Sequence, residues 1–240
     1  MVTVADVISR LGSACGAGIF AASGRASSIS PGRGQRWRGE GRALWHRRRR
    51  VQEDQVMPEY YEFEVSLRHA TPRIWRRFLI SKKANFLKLH EAIQDACGWD
   101  HSHLLAFREW GRQGREFAGT PADVFMAPWE QPTPDASKVK LADFFEQPGH
   151  ARCVYLYDFG DGWEHEVKRR KRVSCPESFK RRLIAGERAF PPEDCGGVWG
   201  YARCVEVVEG RLEDPEQLDW LGDWHPEHFD LEAIKKRFDR

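Results

Sequence analysis

Residues 153–173, which read CVYLYDFGDGWEHEVKRRKRV, decide the fold class of this chain. Two segments rich in aromatic and β-branched side chains, Cys153 to Phe159 and Trp163 to Val173, flank the triplet Gly160-Asp161-Gly162. An Asp-Gly pair supplies the positive φ angles that a tight, twisted hairpin turn needs. The sequence therefore predicts an antiparallel β-hairpin at this point of the chain.

The segments around the hairpin predict a mixture of strands and helices. Alternating apolar and polar residues indicate strands, whereas Asn85 and Gly98 are typical cap residues around an amphipathic helix. The predicted strands interrupted by single helices, with helices concentrated late, favour a single-domain α+β fold with a mainly antiparallel sheet and helices packed on one face. The predicted strands cover 61–67, 74–80, 103–110 and a short segment at 116–117; the predicted helices cover 86–97, 139–145, 176–186, 201–209 and 230–238; a Pro-rich loop covers 119–138.

Residues 1–56 differ from the rest of the chain. The first fifty hold ten arginines, no lysine and two acids, and Gly and Ser are frequent. Too few large apolar side chains are present to offset the entropy of ordering. We therefore expect a disordered Arg/Gly/Ser-rich extension before a folded domain over 57–240. Three interpretations of the extension stay open: a nucleic-acid-binding tail, an organellar transit peptide, or an incidental segment read from a start assigned upstream of Met57.

The charge and cysteine content exclude several classes of protein. Because the first fifty residues carry a formal charge of +8 and the whole chain +2, the remaining 190 residues carry −6, which is unlike a globally basic nucleic-acid-binding domain. The six cysteines form no CxxC pair, so a zinc ribbon is not expected. No apolar run approaches about 20 residues. We expect free thiols in a cytoplasmic protein that does not enter a membrane.

Several ordered motifs resemble one protein family. They are PRIWRR at 72–77, GWD at 98–100 followed by His103-Leu104, YDFGDGWEH at 157–165, PPEDCGG at 191–197 followed by Gly200-Tyr201, and WLG at 220–222. Over about residues 59–240 the chain is similar to the plasmid pRiA4b open-reading-frame-3-like family. The resemblance implies a single α+β domain and a relationship with plasmids and mobile elements. It implies no established activity, cofactor or catalytic residue.

The hairpin tip is the first candidate site. On the second strand, a period of two places Trp163, His165 and Val167 on one face. One interpretation puts Asp161 and His165 at the rim of a pocket, as metal ligands or as a general acid/base pair. The alternative is structural, in which Asp161 forms the turn and His165 makes a hydrogen bond within the fold.

The loop over residues 191–197 is the second candidate site. Glu193 and Asp194 could hold a divalent cation, and Cys195 could act as a nucleophile if a nearby histidine lowered its pKa. The alternative is that the two acids cap the next helix and Cys195 is a small buried side chain. A site would require the loop and the hairpin tip to share a hollow. The metal-ligand candidates are then His103, Asp161, His165, Glu193 and Asp194.

The basic run after the hairpin turn is a candidate nucleic-acid interface. Strand alternation predicts that Lys168, Arg170 and Arg172 share a face, and with Arg169 they could contact phosphates. The alternative is the solvated face of an edge strand, on which such residues discourage aggregation.

Three functions follow from these candidates. The first is a plasmid- or mobile-element-associated binding or accessory domain. The second is a metal-assisted hydrolase of phosphoesters using Asp161, His165, Glu193 and Asp194. The third is a nucleic-acid-binding accessory protein. The only cofactor that the sequence suggests is a divalent metal, and the only partner is nucleic acid.

Overall fold

The structure, a computed structural model, describes residues 57–120 and 132–239. The extension predicted over residues 1–56 and the middle of the predicted Pro-rich loop lie outside these residues. Among the helices that are described, none combines the length and the apolar character needed to cross a membrane.

The described residues form one seven-stranded sheet in which all neighbouring strands are antiparallel. The order across the sheet is β4-β3-β5-β6-β1-β2-β7, so the predicted hairpin, β5 and β6, lies inside it. The strands are β1 Glu59–Leu67, β2 Trp75–Ser81, β3 Leu105–Glu109, β4 Glu116–Gly119, β5 Arg152–Tyr157, β6 Trp163–Ser174 and β7 Arg181–Glu187.

Five helices accompany the sheet in the described residues. The first follows the predicted caps, because the Asn85 side chain accepts a hydrogen bond from the Lys88 amide and Gly98 ends the helix with φ 91°. This arrangement confirms the predicted single-domain α+β fold with a mainly antiparallel sheet. The helices are α1 Phe86–Cys97, α2 Leu141–Phe145, α3 Gly197–Val208, α4 Pro215–Leu221 and α5 Leu231–Phe238.

The main core lies between one face of the sheet and the helices. On β1, Tyr61, Phe63 and Val65 are buried on this face, and the Phe63 ring lies 4.7 Å from that of Phe145 in α2. Phe86 at the start of α1 lies 4.9 Å from Phe107 on β3. Aromatic contacts therefore join both halves of the sheet to the helical layer.

The helix predicted over residues 176–186 is wrong, because β7 occupies Arg181–Glu187. Arg181 and Leu183 are buried on the core side of this strand, and Arg182 is not. The alternation was hidden because a buried arginine looks like a surface residue in sequence. Arg181 is buried because its guanidinium binds the Asp95 carboxylate and the Phe238 carbonyl, the latter at 2.8 Å.

The last third of the chain also differs from the predicted helices. The helix predicted over 201–209 begins earlier, at Gly197. The short helix α4 was missed, although Asp214 caps it and Pro215 occupies its first position. That Asp-Pro order is a recognised helix start, in which the carboxylate accepts an amide hydrogen bond and proline loses no needed donor.

His165 belongs to the aromatic core. Its side chain is fully buried, and its ring lies 5.3 Å from Tyr155, 5.4 Å from Trp99 and 5.8 Å from Phe190. Burial lowers the pKa of His165 to about 3. Burial, helped by the neighbouring His101, also lowers the pKa of His90 to about 3. Both imidazoles are therefore neutral in the folded protein at pH 7.

The two tryptophans that open β2 and β6 should differ in their effect on stability. Trp163 is fully buried, whereas Trp75 is partly exposed and its indole nitrogen bonds Glu187 at the surface. We expect Trp163→Ala to lower the free energy of unfolding by roughly 3–5 kcal/mol and Trp75→Ala by less than about 2 kcal/mol. Urea unfolding followed by circular dichroism measures both. Equal losses would contradict the assigned burial.

Stability should depend on pH through the buried histidines. The folded pKa of His165 lies below the unfolded value, so the unfolded chain binds more protons between about pH 3 and 6.5. This histidine therefore lowers the free energy of unfolding by about 1.4 kcal/mol for each pH unit below about 6.5. Urea unfolding at pH 7, 6 and 5 should show a shallower pH slope for His165→Leu. His228→Gln, at an exposed position, serves as the control. A pH slope that is unchanged in His165→Leu would contradict the contribution of His165 to the pH dependence of stability.

Candidate functional site

Three loops converge at one end of the sheet. They are the 98–103 loop after α1, the tip of the β5–β6 hairpin at 158–162, and the 191–197 loop before α3. The Trp99 indole donates to the Pro191 carbonyl at 2.9 Å, and the Gly196 amide donates to the Asp161 carboxylate at 3.0 Å. The hairpin tip and the 191–197 loop, separated by some thirty positions in sequence, are therefore in direct contact.

The hairpin connection is longer than the predicted triplet. It runs from Asp158 to Gly162, and these two residues, rather than Asp161, have positive φ angles of 51° and 69°. The Asp158 carbonyl accepts from the Gly162 amide at 2.6 Å, and its carboxylate accepts from the Gly160 amide at 2.9 Å. The Asp158 side chain is thus held at the base of the turn, where only 8% of the residue is exposed.

Gly197 permits the close approach of the loop to the hairpin. A Cβ atom on this residue would lie 2.4 Å from the Asp161 carbonyl oxygen, and its φ of 68° also favours glycine. The 191–197 loop can therefore lie this close to the hairpin backbone only with glycine at this position.

Glu193 holds the 98–103 loop in place. Its carboxylate accepts from the Asp100 amide at 2.8 Å, from the Ser102 hydroxyl at 3.3 Å and from the Tyr157 hydroxyl. Burial and the Glu193 carboxylate raise the pKa of Tyr157 to about 12. The alternative in which Glu193 and Asp194 cap the next helix is wrong, because Gly196 is the N-cap of α3 and no side chain caps it.

His103 lies between two aspartates. Its Nδ1 is 3.8 Å from an oxygen of Asp158, and its Nε2 is 3.0 Å from an oxygen of Asp194. The buried Nε2 atom is not aligned for a hydrogen bond with any described residue. Taking one ligand atom from each of these three residues, the atoms lie within 4.8 Å of one another. Asp158 was not among the residues predicted from sequence, although its position directly after a strand and before a turn is a usable signal.

The region where the three loops 98–103, 158–162 and 191–197 meet, called the junction below, has an excess of negative charge. Within the described residues, Asp158, Asp161, Glu193 and Asp194 form no ion pair with a lysine or arginine. Some acids elsewhere do have such partners: Glu164, for example, binds both Arg68 and Arg108. In the described part of the chain, His103 is therefore the one basic side chain paired with any of these four carboxylates, and it faces only Asp158 and Asp194.

The other predicted site residues lie outside this group. His165 points into the core, and Asp161 is used to accept the Gly196 amide. Cys195 is half-buried, and a hydrogen bond with Cys204 together with burial raises its pKa. That shift is opposite to the activation a nucleophilic thiol needs.

The predicted common face of Lys168, Arg170 and Arg172 is wrong, because a β-bulge shifts the pairing of β6 with β1 after Arg169. Lys171 lies 3.4 Å from Glu62, Arg170 3.9 Å from Glu64, and Arg172 3.9 Å from Glu146. Although β6 lies between β5 and β1, its pairing with β5 ends at Lys168, so Arg170 to Arg172 have only β1 beside them and are exposed, as the alternative of a solvated edge predicted. Much of this run therefore neutralises acids of the same protein.

Comparisons with known proteins agree with this architecture. The family model described as "Plasmid pRiA4b ORF-3-like protein" matches residues 59–233. "Uncharacterized protein y4hQ" of Sinorhizobium fredii is 34% identical over 162 residues, which cover 66% of this chain and 79% of the relative. The crystal structure of MM3350 from Methanosarcina mazei Go1, titled a protein of unknown function, aligns with a TM-score of 0.64 and 33% identity. That alignment covers 74% of this chain and 98% of MM3350.

The family match over residues 59–233 includes all three converging loops. The chain belongs to the plasmid pRiA4b ORF-3-like family.

Proposed function

We propose that this protein is a binding domain for a divalent metal ion, held by His103, Asp158 and Asp194 where the three loops converge. The observation on which the proposal depends is one imidazole and two carboxylates with ligand atoms within 4.8 Å of one another, in surroundings without a lysine or arginine partner among the described residues. A bound cation would offset this negative charge, which is costly at the buried Asp158 carboxylate.

The ligand chemistry favours Zn²⁺ or Mn²⁺. Imidazole suits Zn²⁺ and other late transition metals, and carboxylates suit Mn²⁺ and Mg²⁺. Three protein ligands leave at least one coordination position for water or another ligand. The Asp194 side chain is 68% exposed, so this position would be open to solvent.

The proposal revises the ligand set predicted from sequence. His103 and Asp194 are retained, and Asp158 replaces Asp161 and His165. Glu193 is not one of the proposed ligands. Its hydrogen bonds fix the backbone of Asp100 and the side chain of Ser102, in the loop that carries His103. Such outer contacts orient ligands and raise metal affinity in known sites.

Metal binding can be tested on the full chain after removal of metal with EDTA. We expect isothermal titration with ZnCl₂ or MnCl₂ to give one site, and a hundredfold excess over the Kd to raise the free energy of unfolding by about 2.7 kcal/mol. His103→Gln and Asp194→Asn should each weaken binding by at least about tenfold, because each removes one of three ligands.

Asp161→Asn is the matched control, because it removes a neighbouring carboxylate but keeps an oxygen that can accept from Gly196. We expect this variant to bind metal as the unmodified chain does. Equal losses of metal affinity in Asp161→Asn and Asp194→Asn would show that the affinity depends on the total negative charge of the loops and not on coordination by Asp194. The absence of stoichiometric binding of either metal would reject the proposal.

Metal-assisted hydrolysis of phosphoesters is a second candidate function. It is favoured by the open coordination position that three protein ligands would leave on the metal. Zinc- or manganese-loaded protein should then hydrolyse p-nitrophenyl phosphate, and Asp194→Asn should abolish this activity. If metal binds without turnover, the binding function stands alone.

The cellular setting is part of the same proposal. The five cysteines in the described residues are free, which suits a reducing cytoplasm. The name of the family supports a link with plasmids and other mobile elements.

A further inference from the structure

A cleft of about 360 Å³ lies beside the first half of α1, away from the converging loops that follow the end of that helix. It is formed by the end of β2, the first turns of α1, and the chain entering β7. This volume is within the range of small-molecule sites.

The cleft has an excess of positive charge. Four cations and one acid line it, in a domain whose composition is acidic overall. Lys88 is held by Glu91 at 2.7 Å, and Arg181 is held by Asp95. The ammonium groups of Lys83 and Lys180 have no ion pair or hydrogen bond within the described residues. Two ammonium groups without a protein partner give the cleft a positive potential, which attracts an anion.

The lysines, rather than the helix end, would hold such an anion. The first amides of α1 already have acceptors: Phe86 donates to Val139, Leu87 to Ala136, and Lys88 to the Asn85 side chain. No acidic residue lies in the first turn of this helix, so its dipole adds to the positive potential without direct hydrogen bonds.

The remaining wall of the cleft is apolar and rigid. Ala84 and the ring edge of Phe179 contribute the apolar surface, whereas Ile80 is a core residue that is only 2% exposed. The Phe179 ring is fixed because it stacks on Tyr60 at 4.0 Å while the Arg182 guanidinium covers it at 4.2 Å. With both ring faces occupied, only the edge is available to a ligand.

We infer that this cleft binds a small organic phosphate, whose phosphate group contacts Lys83 and Lys180 and whose carbon body packs on Ala84 and the edge of Phe179. Lysine binds phosphate as a point charge. The apolar wall distinguishes an organic phosphate from free phosphate, which would use the lysines alone. This site is separate from the proposed metal centre and does not require it.

Phenyl phosphate and inorganic phosphate are suitable probes, titrated into the full chain in EDTA so that metal binding plays no part. We expect saturable binding of phenyl phosphate, with NMR shift changes at Ala84 and Phe179, and at least about tenfold weaker binding of inorganic phosphate. Lys83→Gln combined with Lys180→Gln should weaken both by more than tenfold. Added salt should weaken both as well, because the contact is a charge interaction.

Lys168→Gln is the matched control, since it removes one exposed lysine on β6 outside the cleft. Its affinity for phenyl phosphate should equal that of the unmodified chain. Binding that survives in the double variant, shift changes confined to other surfaces, or equal affinity for the two probes would each overturn the inference.

Discussion

The burial of both faces of β1 is the constraint on which the rest of this structure depends. Eight of its nine residues are buried, and only one face can be covered by the helices. On the other face lie Glu62 and Glu64, whose carboxylates need partners once they are removed from water. Arg73 and Arg77 each bind Glu64 at 2.8 Å. The basic residues on and beside the neighbouring strands therefore compensate the buried acids of β1.

This constraint also positions the candidate metal centre. Pairing of β1 with β6 fixes the hairpin inside the sheet, and the hairpin tip then meets the 191–197 loop through the Asp161–Gly197 approach. Glu193 ties the same loop to the segment that carries His103. The chemistry of the junction thus depends on backbone contacts among three connections, each supported by a regular element.

The sequence was sufficient for the fold class, the hairpin and the first helix, because alternation and cap residues are local signals. It failed at β7, where the buried Arg181 depends on Asp95, a residue 86 positions away. It failed for the basic run because one bulge changes every later side chain's direction. For the proposed metal site, His103 and Asp194 were already candidates from the sequence. Asp158 was missed, and the burial of His165 could not be known, since both depend on tertiary neighbours.

Helix α1 separates the two candidate sites. Its twelve residues give a rod of roughly 18 Å, with the phosphate cleft beside its beginning and the 98–103 loop after its end. Because Phe86, Leu89 and Ile93 fix this rod in the core, the spacing between its ends is nearly constant. A ligand shorter than this rod can contact only one of the two candidate sites, so each site can be occupied without blocking the other.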